Sequence, residues 1–190
     1  MFPFTPLGPE PAVKELIRGH LPTWEAALTL AQNYAESAAW LFRGLTVTQL
    51  MDDLLPGVYR RAPPVAGFDY ADCAHALALL FNIFAIATIL NFARADRVAA
   101  ADHFNQISCA ALSLRSIFDG PSIVTVQALQ IAFAYTGIRG GDAMDRDNTM
   151  EVSWSYITLA AQVSQIVRSF TLISDPRVLP LTTGPPDRTS

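Results

Sequence analysis

The chain has 190 residues, of which 51% are hydrophobic and only 16% charged, with a net charge of −4, a pI near 5.2 and a mean hydropathy of +0.27. That length and apolar content suffice for one domain with a substantial core. The acidic balance and scarcity of Lys and Arg exclude a nucleic-acid surface that works through clustered phosphate contacts. Two cysteines, Cys73 and Cys109, are too few for a disulfide framework or a zinc cluster, and fit a reducing compartment.

Residues 1–21 open with "MFPFTPLGPEPAV", which lacks the basic and apolar regions of a leader. Its prolines predict an extended arm. Thr23 then precedes "WEAALTLAQNYAESAAWLF", a helix with Glu25 in its first turn and a stop at Gly44. Thr46 and Gln49 have capping-box spacing ahead of "LMDDLL", and Pro56-Gly57 is expected to end that short helix. "RRAPPVAG" is a loop, after which Asp69 is expected to cap "YADCAHALALLFNIFAIATILNF".

The next segment, "DRVAAADHFNQISCAALSLRSIF", has helical period, and Ala100, Phe104, Ile107, Ala111, Leu114 and Phe118 are predicted as its buried stripe. Gly120-Pro121 turns the chain and Ser122 caps the following apolar helix, in which Gln127 and Gln130 are expected to pair inside. Gly140-Gly141 and "DAMDRDN" predict a loop, and Asn148 with Glu151 a cap before "VSWSYITLAAQVSQIV". Residues 171–190 form a polar, Pro/Gly-rich tail. The fold class is therefore all-α, a multi-helix bundle over residues 22–170.

Two apolar runs raise a membrane reading. Residues 76–90 are apolar apart from Asn82 and Thr88. Fifteen helical residues reach roughly 22 Å, short of a hydrocarbon core about 30 Å thick. The second run, 123–138, carries Thr125, Gln127, Gln130 and Thr136. Both read better as central helices of a bundle.

No catalytic constellation stands out. Cys73 and His75 point to different sides of a helix, and His103 and Cys109 do not share a face, so no metal site is expected. Asp142, Asp145, Asp147 and Glu151 lack calcium-loop spacing, and Asp52-Asp53 reads as a solvent-facing pair. "GIRGGD" follows no strand and makes a weak phosphate loop. No nucleophile, base and oxyanion donor assemble, so the chain is not expected to be an enzyme. Phe81, Phe84, Phe104 and Phe133 are candidates for an apolar pocket, although helical spacing explains them as core.

"LALLFNIFAIATI" (77–89), "AALSLRSIFDGPSIVTVQAL" (110–129) and "SWSYITLAAQVSQ" (153–165) resemble the regulatory, or middle homology, region of fungal binuclear-zinc-cluster transcription factors. The stretch "AESAAWLFRGLTVTQLMDDLLPGVYRR" resembles the lead-in to that region, so the resemblance spans about residues 20–168. The middle stretch, with its Phe-Asp-Gly-Pro-Ser turn, is the most specific. The six zinc-binding cysteines of the family have no counterpart, so neither zinc nor direct DNA binding is implied for this chain. What the resemblance implies is a partial, truncated regulatory region in a nuclear protein, acting in transcription regulation. Its partner would be a related factor or coregulator, or a small-molecule effector. Helices that cover the front part in the family have no counterpart here, and an exposed apolar patch is expected. A small helical ligand-binding protein or enzyme, and a membrane-associated helical protein, are the alternatives.

Overall fold

Sixteen consecutive residues of the apolar run, Ala74–Ile89, form the helix on which everything else is packed, and all sixteen are buried. A helix apolar on every side finds its minimum only with neighbours on every side. The computed structural model describes residues 9–61, 63, 68–140 and 146–174. It places seven α-helices among them, and no sheet: α1 (Glu10–Arg18), α2 (Trp24–Ser37), α3 (Leu55–Val58), α4 (Ala74–Ile89), α5 (Arg97–Ser113), α6 (Ile123–Gly140) and α7 (Arg146–Ser174). The central α4 packs against α5, α6 and α2, whereas α7 leans on α6. The all-α bundle expected from the sequence is what forms. The apolar run is sheathed by three helices, the central place expected of it. Among the described residues no helix is long and apolar enough to cross a membrane.

The first departure from expectation is α1, a helix where an extended arm was predicted. Pro9 is its N-cap and Pro11 falls in its first turn, where a missing N–H costs nothing and a fixed φ favours the helix. Its inner face buries Lys14 and Ile17. The Lys14 ammonium donates to the Asp72 carbonyl at 2.6 Å and pairs with the Asp72 carboxylate. Arg18 donates to the carbonyls of Ala71 and Val58 at 3.1 and 2.8 Å. Three residues that precede α4 in the chain are thereby tied to the N-terminal helix. Residues 1–8 of the predicted arm and 175–190 of the predicted tail lie outside the described residues, whereas 171–174 continue helix α7 where tail was predicted.

Thr23 caps α2 as expected, its hydroxyl accepting from the Ala26 amide at 3.4 Å. The helix stops at Ser37 rather than Gly44. Gly44 serves packing instead: a Cβ there would stand 3.1 Å from Gln130 Oε1 and 3.3 Å from Ile131 Cδ1.

Pro56-Gly57 does not end the next helix, which continues through both into α3. The turn before it, Gln49–Leu54, is π-helical, with the Leu55 amide donating to the Leu50 carbonyl. Widening the turn relieves the clash a proline ring makes with the carbonyl four residues back. Gly57 is required by close approach, since a Cβ would lie 2.8 Å from Tyr70 Cβ. The actual stop is Arg60, at φ 55°, with Arg61 N–H bonded to the Pro56 carbonyl and Arg60 N–H to that of Gly57. That is a Schellman ending with arginine in the left-handed position glycine usually takes.

Asp69 caps no helix; its carboxylate accepts from the Ala71 amide at 2.8 Å in a turn ahead of α4. In α5 the predicted stripe is displaced. Ile107, Ala111 and Leu114 are buried, but Ala100 and Phe104 are half-buried and Phe118 is exposed in the turn beyond. The true inner face is Ala101, Ser108, Ala111 and Leu112. Small side chains bring α5 close enough for the Ser108 hydroxyl to donate to the Ala78 carbonyl at 2.8 Å.

Ser122 caps α6 as predicted: its hydroxyl accepts from the Thr125 amide at 3.3 Å, and Thr125 Oγ1 accepts from the Ser122 amide at 3.2 Å. Helix α7 starts at Arg146, inside the stretch predicted as a loop, so Asn148 lies within the helix rather than before it. At 29 residues it runs for roughly 43 Å.

Candidate functional site: an apolar groove between two helices

Helix α7 presents two stripes to its surroundings. Tyr156, Ala160 and Val163, at i, i+4 and i+7, are buried. Met150, Ser153, Trp154 and Ile157 lie on an adjacent strip. Helix α6 faces that strip with Phe133, Gly137 and Gly140, again at i, i+4 and i+7. Together these residues line an apolar groove of about 630 Å³. Gly137 keeps it open, because a Cβ built there would meet nothing within 4 Å. Met150 is 60% and Trp154 66% exposed, both on the groove wall.

The described lining holds a single hydroxyl, Ser153, and no ionisable side chain. Such a surface offers shape and apolar burial to a ligand. Its volume falls in the range of about 300–1,000 Å³ that small-molecule sites occupy.

The neighbouring polar groups are committed to structure. Asp102 of α5 accepts from the Tyr135 hydroxyl at 2.6 Å and from Arg139 Nε at 3.0 Å, bracing α5 against α6. Partial burial pushes the Asp102 carboxyl upward, but the hydrogen bonds from Arg139 and Tyr135 and the Arg139 charge together outweigh it and hold the group below its usual range. Tyr135 is pushed up by burial and then by that carboxylate. Gln127 and Gln49 exchange two amide hydrogen bonds, at 3.1 and 2.9 Å, so the expected internal pairing holds for Gln127. Gln130 is half-buried against Gly44.

The residues singled out for chemistry scatter. Phe81, Phe84 and Phe104 cluster with ring centres 5.8–6.3 Å apart, with Phe81 and Phe84 fully buried. They are core, and only Phe133 of the four lines the groove. His75 is buried between Thr125 Oγ1 at 2.9 Å and the Arg115 carbonyl at 3.3 Å. The carbonyl can only accept, so Nε2 donates to it and Nδ1 accepts from Thr125. Burial lowers the His75 pKa. Cys109 turns to the Tyr156 hydroxyl, 3.6 Å away, rather than to His103. Instead His103 meets His20 across the surface, a pairing 83 positions apart that no local pattern announces. Among the described residues no three His, Cys, Asp or Glu side chains gather as a metal site. Asp142 and Asp145 lie outside the described residues.

A second, smaller cavity of about 230 Å³ lies beside the Phe-Asp-Gly-Pro-Ser turn, lined by Asp69, Asp72, His75, Arg115, Asp119 and Ser122. Its central groups are taken: Asp72 by Lys14, whose hydrogen bond lowers the carboxyl pKa, and His75 by Thr125 and Arg115. Comparison of the chain with family models, with curated proteins and with solved structures gave no match.

Proposed function

We propose that the chain is a helical regulatory module that receives a small apolar effector in the α6–α7 groove. The observation that carries the reading is the open apolar wall of Trp154, Met150, Ile157 and Phe133 facing the bare backbone of Gly137. An apolar strip left uncovered on a soluble bundle marks a binding site more often than an accident. The resemblance of residues 20–168 to the regulatory region of fungal zinc-cluster factors adds the setting, a nuclear protein in which occupancy modulates transcription.

The test uses the exposed Trp154 as reporter. Titration with an apolar fluorescent probe should saturate at one site and change tryptophan emission. Gly137→Leu, which fills the groove, and Trp154→Ala should abolish saturable binding while the helical circular dichroism is kept. Equal binding by both variants would refute the groove. Tethered to a DNA-binding module in a reporter assay, the chain should alter output, and Gly137→Leu should change that effect; a reporter indifferent to the chain would refute the regulatory role.

The exposure of Met150 and Trp154 favours a second reading, in which a partner helix rather than a small molecule fills the groove. Light scattering distinguishes the two, because a polypeptide partner raises the mass of the complex and an effector does not.

A further inference from the structure

Two of the three histidines in the chain stand together on the surface. His20 follows Gly19, the residue that closes α1, and His103 sits on α5. Their ring centres are 5.5 Å apart with the planes at 68°. Both side chains are exposed, and among the described residues neither ring is hydrogen-bonded. The neighbours on either side turn away: Arg18 to the carbonyls of Ala71 and Val58, and Asp102 to Tyr135 and Arg139. Among the described residues no hydrogen bond occupies the four ring nitrogens, and both residues are exposed.

We propose that His20 and His103 form a two-histidine clip for a divalent late first-row metal ion, which ties α1 to α5. A metal–imidazole bond of about 2.0–2.1 Å puts the ion roughly 3 Å from each ring centre, so two rings on one tetrahedral ion have centres roughly 5 Å apart. The observed 5.5 Å lies close to that separation. Neutral imidazole suits zinc, nickel and copper, with water filling the remaining positions. His20 also lies just past the C-terminus of α1, where the negative end of the helix dipole favours a cation. The clip closes a loop of more than eighty residues between a short N-terminal helix and the bundle, so an ion bound there holds α1 in its docked position.

The same geometry would serve two rings that only stack edge to face, and the experiment separates the cases. Isothermal titration of the full chain with Ni2+ and with Zn2+ should give one ion per chain, accompanied by a rise in melting temperature. His20→Ala and His103→Ala should each weaken binding by at least about tenfold, the loss seen when even an outer partner of a metal ligand is removed. His103→Phe keeps an aromatic edge against His20 but no ligand; it should leave the metal-free melting temperature unchanged and remove the metal-induced rise. His75→Gln should leave metal affinity unchanged, because both ring nitrogens of His75 already have partners. Absence of stoichiometric binding overturns the clip, as does a metal-induced rise that survives in His103→Phe.

Discussion

Helices α5 and α7 are both long, both moderately polar and both packed against an apolar helix, yet they end in opposite states. Against α4, α5 sets Ala101, Ser108 and Ala111, all fully buried, and approaches until a serine hydroxyl meets a backbone carbonyl. Helix α7, packed on α6, buries Tyr156, Ala160 and Val163, but its adjacent strip carries Met150, Trp154 and Ile157, and faces a glycine. Small residues close one seam; bulky residues opposite a missing side chain prop the other open. Apolar content does not decide whether a helix pair is core or site. The distribution of side-chain volume along the seam does.

The largest expected effects test that division directly. Phe84, fully buried beside Phe81 and Phe104, should cost about 3–5 kcal/mol when cut to alanine. Trp154, larger still, should cost within about 0.5 kcal/mol under the same treatment, because most of its surface already faces water. Urea unfolding of both variants gives the comparison. Equal losses would mean that the groove wall is core.

That division is only half legible in the sequence. The unbroken apolar run announces α4 and its central place, and Ser122 and Thr23 announce two helix starts. The α5 face is misread because Phe104 outweighs Ala101 and Ser108 on any hydrophobic count, although the small residues are what let the helices meet. Helix α1 is missed because Pro9 and Pro11 read as breakers when they stand at a helix start. The π-helical turn before Pro56 has no sequence signal. Of the groove, Phe133 is visible as a candidate, but Met150, Trp154 and Ile157 gain meaning only from Gly137, on another helix. Contacts between elements are what a single sequence hides.

The closed side of the comparison has a flaw that sharpens it. Asn82 and Thr88, both on α4 and both buried, have side-chain polar atoms with no partner among the described residues. An unpaired buried polar group costs roughly 1–3 kcal/mol. Asn82→Leu, which keeps the same number and branching of side-chain heavy atoms, should therefore stabilise the fold by a gain of up to that order in urea unfolding. A loss instead would show that the amide is held by contacts worth more than its desolvation.

Gly57 offers a destabilising counterpart on the closed side. A methyl group at 57 would stand 2.8 Å from Tyr70 Cβ, on the rigid root of that side chain. Gly57→Ala should cost roughly 1–3 kcal/mol, the usual penalty for overpacking. An unchanged melting temperature would mean that the turn carrying Tyr70 gives way freely.

Acidification should act through His75, which joins α4 to α6. Its folded pKa lies below the ordinary value because burial disfavours the charged ring. The unfolded chain therefore binds the proton more readily, and the stability His75 contributes is fully present above about pH 6.5 and lost as pH falls through and below it. One proton can change stability by at most about 1.4 kcal/mol per pH unit. Between pH 7 and 5.5 the wild-type chain should lose more stability than His75→Gln, because only the wild type holds a buried imidazole that the proton must charge. Parallel pH profiles would show that His75 is protonated as easily when folded as when unfolded.

The smallest effect is also the sharpest, because it repeats one substitution on the other side of the divide. Gly137 lies inside α6, yet a Cβ there would touch nothing within 4 Å. With no collision, only backbone entropy and helix propensity remain, and both favour alanine over glycine by roughly 0.5–1 kcal/mol. Gly137→Ala should therefore raise stability slightly, where Gly57→Ala lowers it. The added methyl projects into the groove, so the same variant should weaken binding of an apolar probe while it stabilises the fold. Opposite movement of stability and binding is what a helix glycine retained for an opening predicts. A variant that gained stability with probe binding intact would show that the groove does not use the space at Gly137.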